Sequence, residues 1–251
     1  ILLSDPSPAG GTYVTFSYST PGIAAISPDP AFIPAGQLAA DIQIRGLAAG
    51  STNITPSAIG VNGTASSFTA YPPVLYPSTS SIRLGLGQFE PNQYVSTQLY
   101  TNVPIPVTLT SSDTNVVRPS PLVVTIPGGS YYAYFNVAAQ ATGSATITLA
   151  SPGWTAQNTI SVVATTPLIG ISGGTSLLTT SPQSYVYVYA EDSLRTAHYR
   201  TNSLLVHLRS TDTTVLKVLD TVVTIAAGQY YTGAGRVIPG GTGGAAYVVA
   251  T

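Results

Sequence analysis

The acidic residues best placed for chemistry are adjacent in one segment of the chain. Glu191 and Asp192 lie in the segment 190–203, which also contains Arg195 and His198. Paired carboxylates can act as general acid and base or can hold a cation. Neighbours on one loop do not face each other across a substrate bond, however, and no other acid is close in sequence. We therefore expect a solvated or intersubunit loop. The chain contains internal repeats, described below, and the other repeats lack this insertion, so the loop is a candidate for a specific contact.

Two further aspartates, Asp113 and Asp212, recur at matching places in the sequence. A calcium site needs about six to eight oxygen ligands, and neither residue has close acidic neighbours to supply them. A short carboxylate at a turn accepts hydrogen bonds from backbone N–H groups. We predict that both residues cap turns and that the chain binds no metal.

The chain lacks most of what a catalytic centre requires. It has no Cys and two His, of which His207 lies on the polar face of a predicted strand. Without Cys there is no disulfide, no zinc–thiolate site and no Cys nucleophile. Neither a Gly-x-Ser-x-Gly elbow nor a phosphate-binding loop is present. We predict a protein that is not an enzyme, with no catalytic residue and no cofactor.

The charge and hydropathy of the chain exclude two further classes of protein, those that bind nucleic acid and those with membrane-spanning helices. Charged residues make up 7% of the 251 residues, and the formal net charge is −1. Nucleic-acid binding depends on a basic field that eight Lys and Arg residues do not supply. No apolar run approaches the roughly 18 residues that a membrane-spanning helix needs. We predict no nucleic-acid partner and no membrane-spanning segment.

Tyrosine is abundant, with 16 residues. Tyr185, Tyr187 and Tyr189 alternate with valines, which places three rings on one face of a predicted strand. Rings with a polar tip suit an interface between copies of the chain, the stacking of sugar rings, or cross-strand packing that only stabilises a sheet. These three alternatives remain open. The other candidates for an interface are Tyr131, Tyr132, Tyr134, Tyr230 and Tyr231.

Two triplets match the N-glycosylation sequon, and they begin at Asn53 and Asn62. Both asparagines are candidate glycosylation sites. The dipeptide Asn62-Gly63 also fits the turn of a tight hairpin.

An internal repeat organises the chain. Similar segments begin at Val14, Val107 and Val206, and a second set follows with the same spacing at Phe32, Thr125 and Thr224. Proline-rich joints at 71–73 and 165–167 mark the boundaries between repeats. The sequence predicts three domains: 1–71, lacking its first strand or strands; 72–165, complete; and 166–251, lacking its last strand.

Within each repeat, apolar residues alternate with period two. Val107 and Leu109 point to one side, while Thr108 and Thr110 point to the other. In the middle repeat this pattern predicts strands near 81–87, 94–100, 105–111, 122–127, 131–138, 144–150 and 157–164. Seven short strands separated by turn signals predict an all-β chain of tandem immunoglobulin-like Greek-key β-sandwiches.

Particular motifs also carry a family resemblance. The segments Ile33-Pro34-Ala35-Gly36, Ser111-Ser112-Asp113 and Val124-Thr125-Ile126-Pro127-Gly128-Gly129 resemble the bacterial immunoglobulin-like (Big-type) tandem repeats of cell-surface and extracellular proteins. The resemblance covers essentially the whole chain. It implies the fold more specifically than the function, because such repeats serve as stalks, adhesins, layers and enzyme appendages. The third repeat departs from the pattern at 233–236, where glycines stand in a strand position.

These observations lead to a structural hypothesis with one main alternative. We expect an extracellular or cell-surface protein, a self-assembling building block of a filament, sheath or surface layer. Its partners are copies of itself, with strand complementation at open sandwich edges as one mode. The simpler explanation of the missing strands is that the chain is an excerpt of a longer array. The alternative is an adhesin stalk or glycan-binding repeat module of a larger cell-surface protein, with glycans as partners.

Overall fold

In the computed structural model, the regular elements of the described chain are all β-strands. The structure describes residues 1–173 and 176–251, and these residues contain no helix. The predicted all-β chain of immunoglobulin-like sandwiches is confirmed by the pairing of its strands into facing sheets. The chain separates into two compact units, Ile1–Pro73 and Val74–Thr251.

We call residues 1–71, 72–165 and 166–251 repeats 1, 2 and 3, and this division into three domains stays a prediction. The second compact unit contains repeats 2 and 3. Each of these two repeats has its own cluster of buried apolar residues.

Repeat 1 consists of two small antiparallel sheets. Its strands are β1 (Thr12–Tyr18), β2 (Ala24–Ser27), β3 (Ala31–Ile33), β4 (Gln43–Gly46), β5 (Gly50–Ala58), β6 (Val61–Asn62) and β7 (Ser66–Ala70). In one sheet β1 lies between β3 and β5, and β6 and β7 both pair with β5. The other sheet is the pair β2–β4. Ala24, Ile26 and Ile54 form the buried cluster between them, with Phe16 and Phe68 packed against it.

Repeat 2 is a sandwich of two larger sheets. Its strands are β8 (Val74–Pro77), β9 (Ser81–Gly85), β10 (Gln88–Thr97), β11 (Ile105–Ser111), β12 (Val117–Ser120), β13 (Val123–Ile126), β14 (Tyr132–Ala139), β15 (Gly143–Ala150), β16 (Thr155–Ala156) and β17 (Ile160–Thr165). One sheet has the order β12-β14-β10-β8-β16, and the other has the order β13-β11-β15-β17-β9. The pairs β8–β16 and β9–β17 are parallel, and the others are antiparallel.

Repeat 3 repeats this layout with fewer strands. They are β18 (Leu168–Gly173), β19 (Ser184–Glu191), β20 (Tyr199–Arg200), β21 (Leu204–Ser210), β22 (Leu216–Val218), β23 (Val222–Ile225), β24 (Tyr231–Pro239) and β25 (Val248–Ala250). One sheet has the order β18-β19-β24-β22, and the other has the order β23-β21-β25. β20 joins neither of these sheets and pairs with β10.

Alternation of residue types explains why these segments form sandwich strands. Along β11, every second residue is buried, beginning with Ile105 and continuing through Val107 and Leu109. The intervening residues are exposed, because successive side chains of a strand point to opposite faces. Burying one such apolar side chain contributes about 1.5–3 kcal/mol, so the pattern selects which face of each sheet points inward.

The predicted strands of repeat 2 omitted β8, β12 and β16. β12 contains Pro119, and a proline within an apolar run argues against a strand in the interior of a sheet. β12 is the last strand of its sheet, where it pairs only with β14. At a sheet edge, a missing N–H donor is tolerated.

The predicted hairpin turn at Asn62-Gly63 is wrong. Ala58 of β5 pairs with Val61 of β6, so the turn consists of Ile59 and Gly60. Gly60 has a φ of +75°, which glycine adopts at little cost.

The predicted turns at Asp113 and Asp212 are confirmed. Oδ1 of Asp113 accepts a hydrogen bond from the backbone N–H of Asn115 at 2.9 Å. Oδ1 of Asp212 accepts the equivalent bond from Thr214 at 2.9 Å, and the Thr214 hydroxyl donates a second one at 2.7 Å. These hydrogen bonds from Thr214 stabilise the ionised carboxylate and lower the pKa of Asp212. The shared geometry supports the equivalence of repeats 2 and 3.

Candidate interaction faces

The outer face of the β10–β14 pair carries a cluster of three tyrosines. Tyr94 lies directly opposite Tyr134 in the strand register, and Tyr132 follows on the same face. The ring centroids are 5.1 Å apart for Tyr132–Tyr134, 6.1 Å for Tyr94–Tyr134 and 6.2 Å for Tyr94–Tyr132. The exposed fractions are 39%, 45% and 54% for Tyr94, Tyr132 and Tyr134. The three rings, here called the tyrosine trio, thus form an exposed aromatic surface with polar tips.

The close approach of these rings affects their ionisation. Coulombic repulsion from Tyr132 is the largest of the effects that raise the pKa of Tyr134 above its ordinary value. Partial desolvation, a hydrogen bond to Tyr132 and repulsion from Tyr94 act in the same direction. The phenol of Tyr134 therefore stays neutral to higher pH than an isolated tyrosine would.

Two of the predicted interface residues belong to the trio and a third does not. Tyr132 and Tyr134 are members, whereas Tyr131 precedes β14 and makes an edge-on contact with Tyr100 at 5.5 Å. Sequence reasoning missed Tyr94. The sequence shows Tyr94 next to the apolar residue Val95, as in an alternating strand. The contact of Tyr94 with β14, however, depends on how the strands pair.

In repeat 3, the predicted tyrosines form a second aromatic group. Tyr189 and Tyr231 are opposite in register and stack with centroids 5.9 Å apart. Tyr230 lies 4.9 Å from Tyr231. Tyr185 and Tyr187 are exposed on β19, on the same side as Tyr189, and alternate with buried valines. The structure thus brings Tyr189, Tyr230 and Tyr231 into contact and adds Tyr185 and Tyr187 along the strand.

Gly233, within the segment 233–236 that departs from the pattern of the other repeats, leaves space for a tyrosine ring of β19. The register between β19 and β24 shifts between Val186 and Val188, which forms a bulge. A Cβ atom on Gly233 would lie 2.9 Å from Cε1 of Tyr187. Gly233 therefore allows the Tyr187 ring to lie close to the neighbouring backbone, and β24 continues as a strand.

An ion pair lies beside Tyr185. Asp220 accepts two side-chain hydrogen bonds from Arg236, from Nε to Oδ2 and from Nη2 to Oδ1, both at 2.8 Å. The backbone N–H of Arg236 adds a third bond to Oδ2 at 2.8 Å. The hydrogen bonds from Arg236 lower the pKa of Asp220 to about 2, and the same pairing raises the pKa of Arg236.

The segment with Glu191 and Asp192 is only partly solvated: residues 193–196 are exposed, whereas Asp192 is buried. Asp192 is only 2% exposed. Its Oδ1 accepts hydrogen bonds from the backbone N–H groups of Leu194 at 2.8 Å and Thr196 at 3.0 Å. Oε2 of Glu191 lies 3.6 Å from Nη1 of Arg195. Asp192 is thus used to hold a tight turn, which explains why a carboxylate can be buried there.

The two sequon asparagines lie in repeat 1. Asn53 is exposed on β5, opposite Ser67 of β7. The backbone of Asn62 belongs to β6, and its side chain lies outside the described part of the structure. Both remain candidate glycosylation sites.

Two open cavities adjoin the cores of repeats 1 and 3. The cavity of repeat 3 has a volume of about 670 Å³, and the cavity of repeat 1 has a volume of about 370 Å³. Apolar residues of the repeat 3 cavity are Ile171, Leu177, Val186, Val237 and Val248. β25 is the last strand of its sheet beside this cavity. Polar residues such as Ser176, Thr179 and Thr242 complete the lining. A cavity next to an unpaired strand edge is a geometry that accepts an added strand.

Neither a metal site nor a membrane-spanning helix is present among residues 1–173 and 176–251. No group of three or more His, Asp or Glu side chains in these ranges could hold a metal ion. None of their elements is a helix long and apolar enough to cross a membrane.

Comparisons with known sequences found no match. No protein-family model matches the chain, and no curated protein matches it. Membership of the Big-type family therefore stays a prediction.

Solved structures with detectable similarity include surface proteins. Domains 4–9 of the surface-layer protein SbsC match 96% of this chain at 16% identity with a TM-score of 0.34, and the chain spans 39% of that structure. The Escherichia coli adhesin FdeC matches 99% of this chain and 90% of its own at 13% identity and a TM-score of 0.32. The D0-D1 domain of intimin matches 70% of this chain and 88% of its own at 12% identity and a TM-score of 0.31.

Proposed function

We propose that this chain is a non-enzymatic structural protein of an extracellular or cell-surface assembly, and that copies of it associate through their tyrosine faces. The observation that carries this proposal is the tyrosine trio. Tyr94, Tyr132 and Tyr134 are each between 39% and 54% exposed while contacting one another on one sheet face. Large aromatic side chains with polar tips are enriched at protein interfaces because they combine apolar area with hydrogen-bonding capacity.

The low charge of the chain supports association between like copies. With a net charge of −1 and 7% charged residues, two copies experience little electrostatic repulsion. A surface with so few charges also lacks the usual protection against association. A neutral aromatic face therefore favours a second neutral aromatic face as its partner.

Open sheet edges provide a second mode of association. β25 has a free edge beside the 670 Å³ cavity of repeat 3. A strand from another copy would satisfy the unpaired backbone groups of this edge and fill the cavity. Head-to-tail contacts of this kind generate open filaments. We propose strand complementation as the longitudinal contact and the tyrosine faces as the lateral contact.

Electron microscopy of the purified protein tests the assembly proposal. We expect regular filaments or sheets, and we expect their lateral order to be lost when Tyr132→Ser and Tyr134→Ser are combined. Tyr100→Ser is the matched control, since Tyr100 is 54% exposed but lies outside the trio. Separate particles for the unaltered protein at all concentrations would refute the proposal. An equal loss of order in the control variant would refute the role of the trio.

The alternative function is an adhesin stalk or glycan-binding module, and the exposed rings of β19 favour it. Tyr185 and Tyr187 are 43% and 40% exposed and could stack against sugar rings. An array of neutral oligosaccharides tests this function. Binding that disappears when Tyr185→Ala and Tyr187→Ala are combined supports it, and binding that persists, or no binding at all, counts against it.

A further inference from the structure

The insertion 192–203 of repeat 3 reaches the sheet of repeat 2. β20, which lies within this insertion, pairs antiparallel with the start of β10, with Gln88 opposite Arg200 and Phe89 opposite Tyr199. The next residue, Thr201, donates its backbone N–H and its hydroxyl to the carbonyl of Gly87, at 2.9 Å and 3.0 Å. The loop thus adds a short strand to a sheet of the preceding repeat.

Arg200 is also hydrogen-bonded to the backbone of repeat 3. The backbone N–H of Arg200 donates to the carbonyl of Gln229 at 2.9 Å, and its carbonyl accepts from Gly228 at 2.8 Å. Its guanidinium donates to the carbonyl of Leu86 of repeat 2 at 3.1 Å. Burial in this position lowers the pKa of Arg200. Arg200 therefore makes hydrogen bonds to both repeats.

The approach of Arg200 depends on a glycine in repeat 2. A Cβ atom on Gly87 would lie 3.1 Å from Nη2 of Arg200, and Gly87 has a φ of +72°. A larger residue at this turn would be strained and would crowd the guanidinium.

His198 of repeat 3 lies between carboxylates of the two repeats and is hydrogen-bonded to the one in repeat 2. Its Nδ1 lies 2.7 Å from Oε2 of Glu90 in repeat 2, and its Nε2 lies 3.6 Å from Oδ2 of Asp192 in repeat 3. His198 is only 9% exposed. A carboxylate only accepts hydrogen bonds, so Nδ1–H is the donor to Glu90. The other charged groups of the segment 190–203 are Arg200, described above, and Glu191 and Arg195, which pair with each other.

Aromatic contacts cover the junction on one side. Phe89 of repeat 2 contacts Tyr199 at 5.6 Å, and Tyr199 contacts Tyr230 edge-on at 5.3 Å. Tyr230 belongs to the aromatic group of repeat 3 through Tyr231. Apolar contacts therefore accompany the hydrogen bonds across the junction.

We propose that the insertion 192–203 is an interdomain lock that holds repeats 2 and 3 as one rigid body, with His198 as its bridging residue. The corresponding connection in repeat 2, residues 98–104 between β10 and β11, is shorter. The lock is therefore a specific addition to repeat 3. This inference is independent of the proposed function, since it concerns one chain and requires neither assembly nor a ligand.

Distance measurements between spin labels test the lock in a single chain. Because the protein has no cysteine, the exchanges Thr110→Cys and Thr224→Cys create one exposed labelling site in each repeat. We expect one narrow distance distribution for the otherwise unaltered protein and loss of that narrow peak with His198→Ala. His207→Ala is the matched control, because His207 is exposed on β21 and should leave the peak unchanged.

A second variant, Glu90→Ala, distinguishes loss of the lock from unfolding of repeat 3. Glu90 contributes its side chain from repeat 2, so Glu90→Ala removes the bridge while leaving the turn at Asp192 in place. Circular dichroism identifies folded variants. A narrow peak retained in folded His198→Ala and Glu90→Ala, or a broad distribution in the unaltered protein, would overturn the lock.

Discussion

Gly235 lies directly against Leu208 across the core of repeat 3. A Cβ atom on Gly235 would be 2.9 Å from Cδ1 of Leu208 and 2.5 Å from Cγ2 of Val186. Both neighbours are buried, and the backbone carbonyl oxygen of Val186 on the paired strand would lie 3.1 Å from the same Cβ atom. The close approach of the paired strand and the facing sheet therefore favours glycine at position 235.

Gly235→Ala should destabilise the protein. Inserting a methyl group into a closed core costs about 1–3 kcal/mol because side chains must leave their preferred rotamers. Chemical denaturation measures the change in the free energy of unfolding. Gly243→Ala is the control, since no atom lies within 4 Å of its added Cβ. Equal denaturation midpoints for the two variants would contradict the packing described.

Phe135→Ala should destabilise repeat 2 strongly. Phe135 is 1% exposed and is among the largest fully buried side chains. Removing such a ring costs about 3–5 kcal/mol, since it leaves a cavity as well as losing apolar burial. Val123→Ala, at a residue that is 52% exposed, serves as the control. The measurement is the denaturation midpoint, and a shift no larger than that of the control would argue against the assigned core.

The Asp220–Arg236 pair should make stability depend on acid pH. The pKa of Asp220 falls from 3.8 to about 2 in the folded protein. A lowered carboxyl pKa contributes stability that is fully present above the unfolded value of 3.8 and is lost as the pH falls through about 2. Asp220→Asn should remove this part of the acid dependence.

The free energy of unfolding, followed from neutral pH downward, measures this effect. Asp41→Asn changes an exposed aspartate outside the ion pair and is the control. If Asp220→Asn and the unaltered protein lose stability in parallel over this range, the ion pair does not form in solution.

Tyr132→Phe should lower the pKa of Tyr134 toward its ordinary value of 10.0, because Tyr132 is the main cause of the raised value. Alkaline titration followed by NMR of the Tyr134 ring measures this pKa. Tyr100→Phe, which alters a ring outside the trio, should leave the Tyr134 titration unchanged. Identical Tyr134 titrations in the unaltered protein and in Tyr132→Phe would show that the rings are not in contact.

The period-two alternation of apolar residues predicted most of the sandwich strands of repeat 2 but not β8, β12 and β16. Val107 and Leu109 are buried as their spacing indicates, and β11 begins at Ile105 and ends at Ser111 as predicted. The turns at Asp113 and Asp212 were also predictable. Both depend on hydrogen bonds between residues two positions apart, which local sequence determines.

Contacts between distant residues were decided by the tertiary structure. Tyr94 meets Tyr134 only because β10 pairs with β14, and β12 becomes a strand despite Pro119 because it occupies a sheet edge. The burial of Asp192 and the bridge from His198 to Glu90 have the same origin. A sequence pattern specifies which face of a strand is apolar, whereas the partner of that strand depends on how the whole chain minimises exposed apolar surface and unpaired backbone groups.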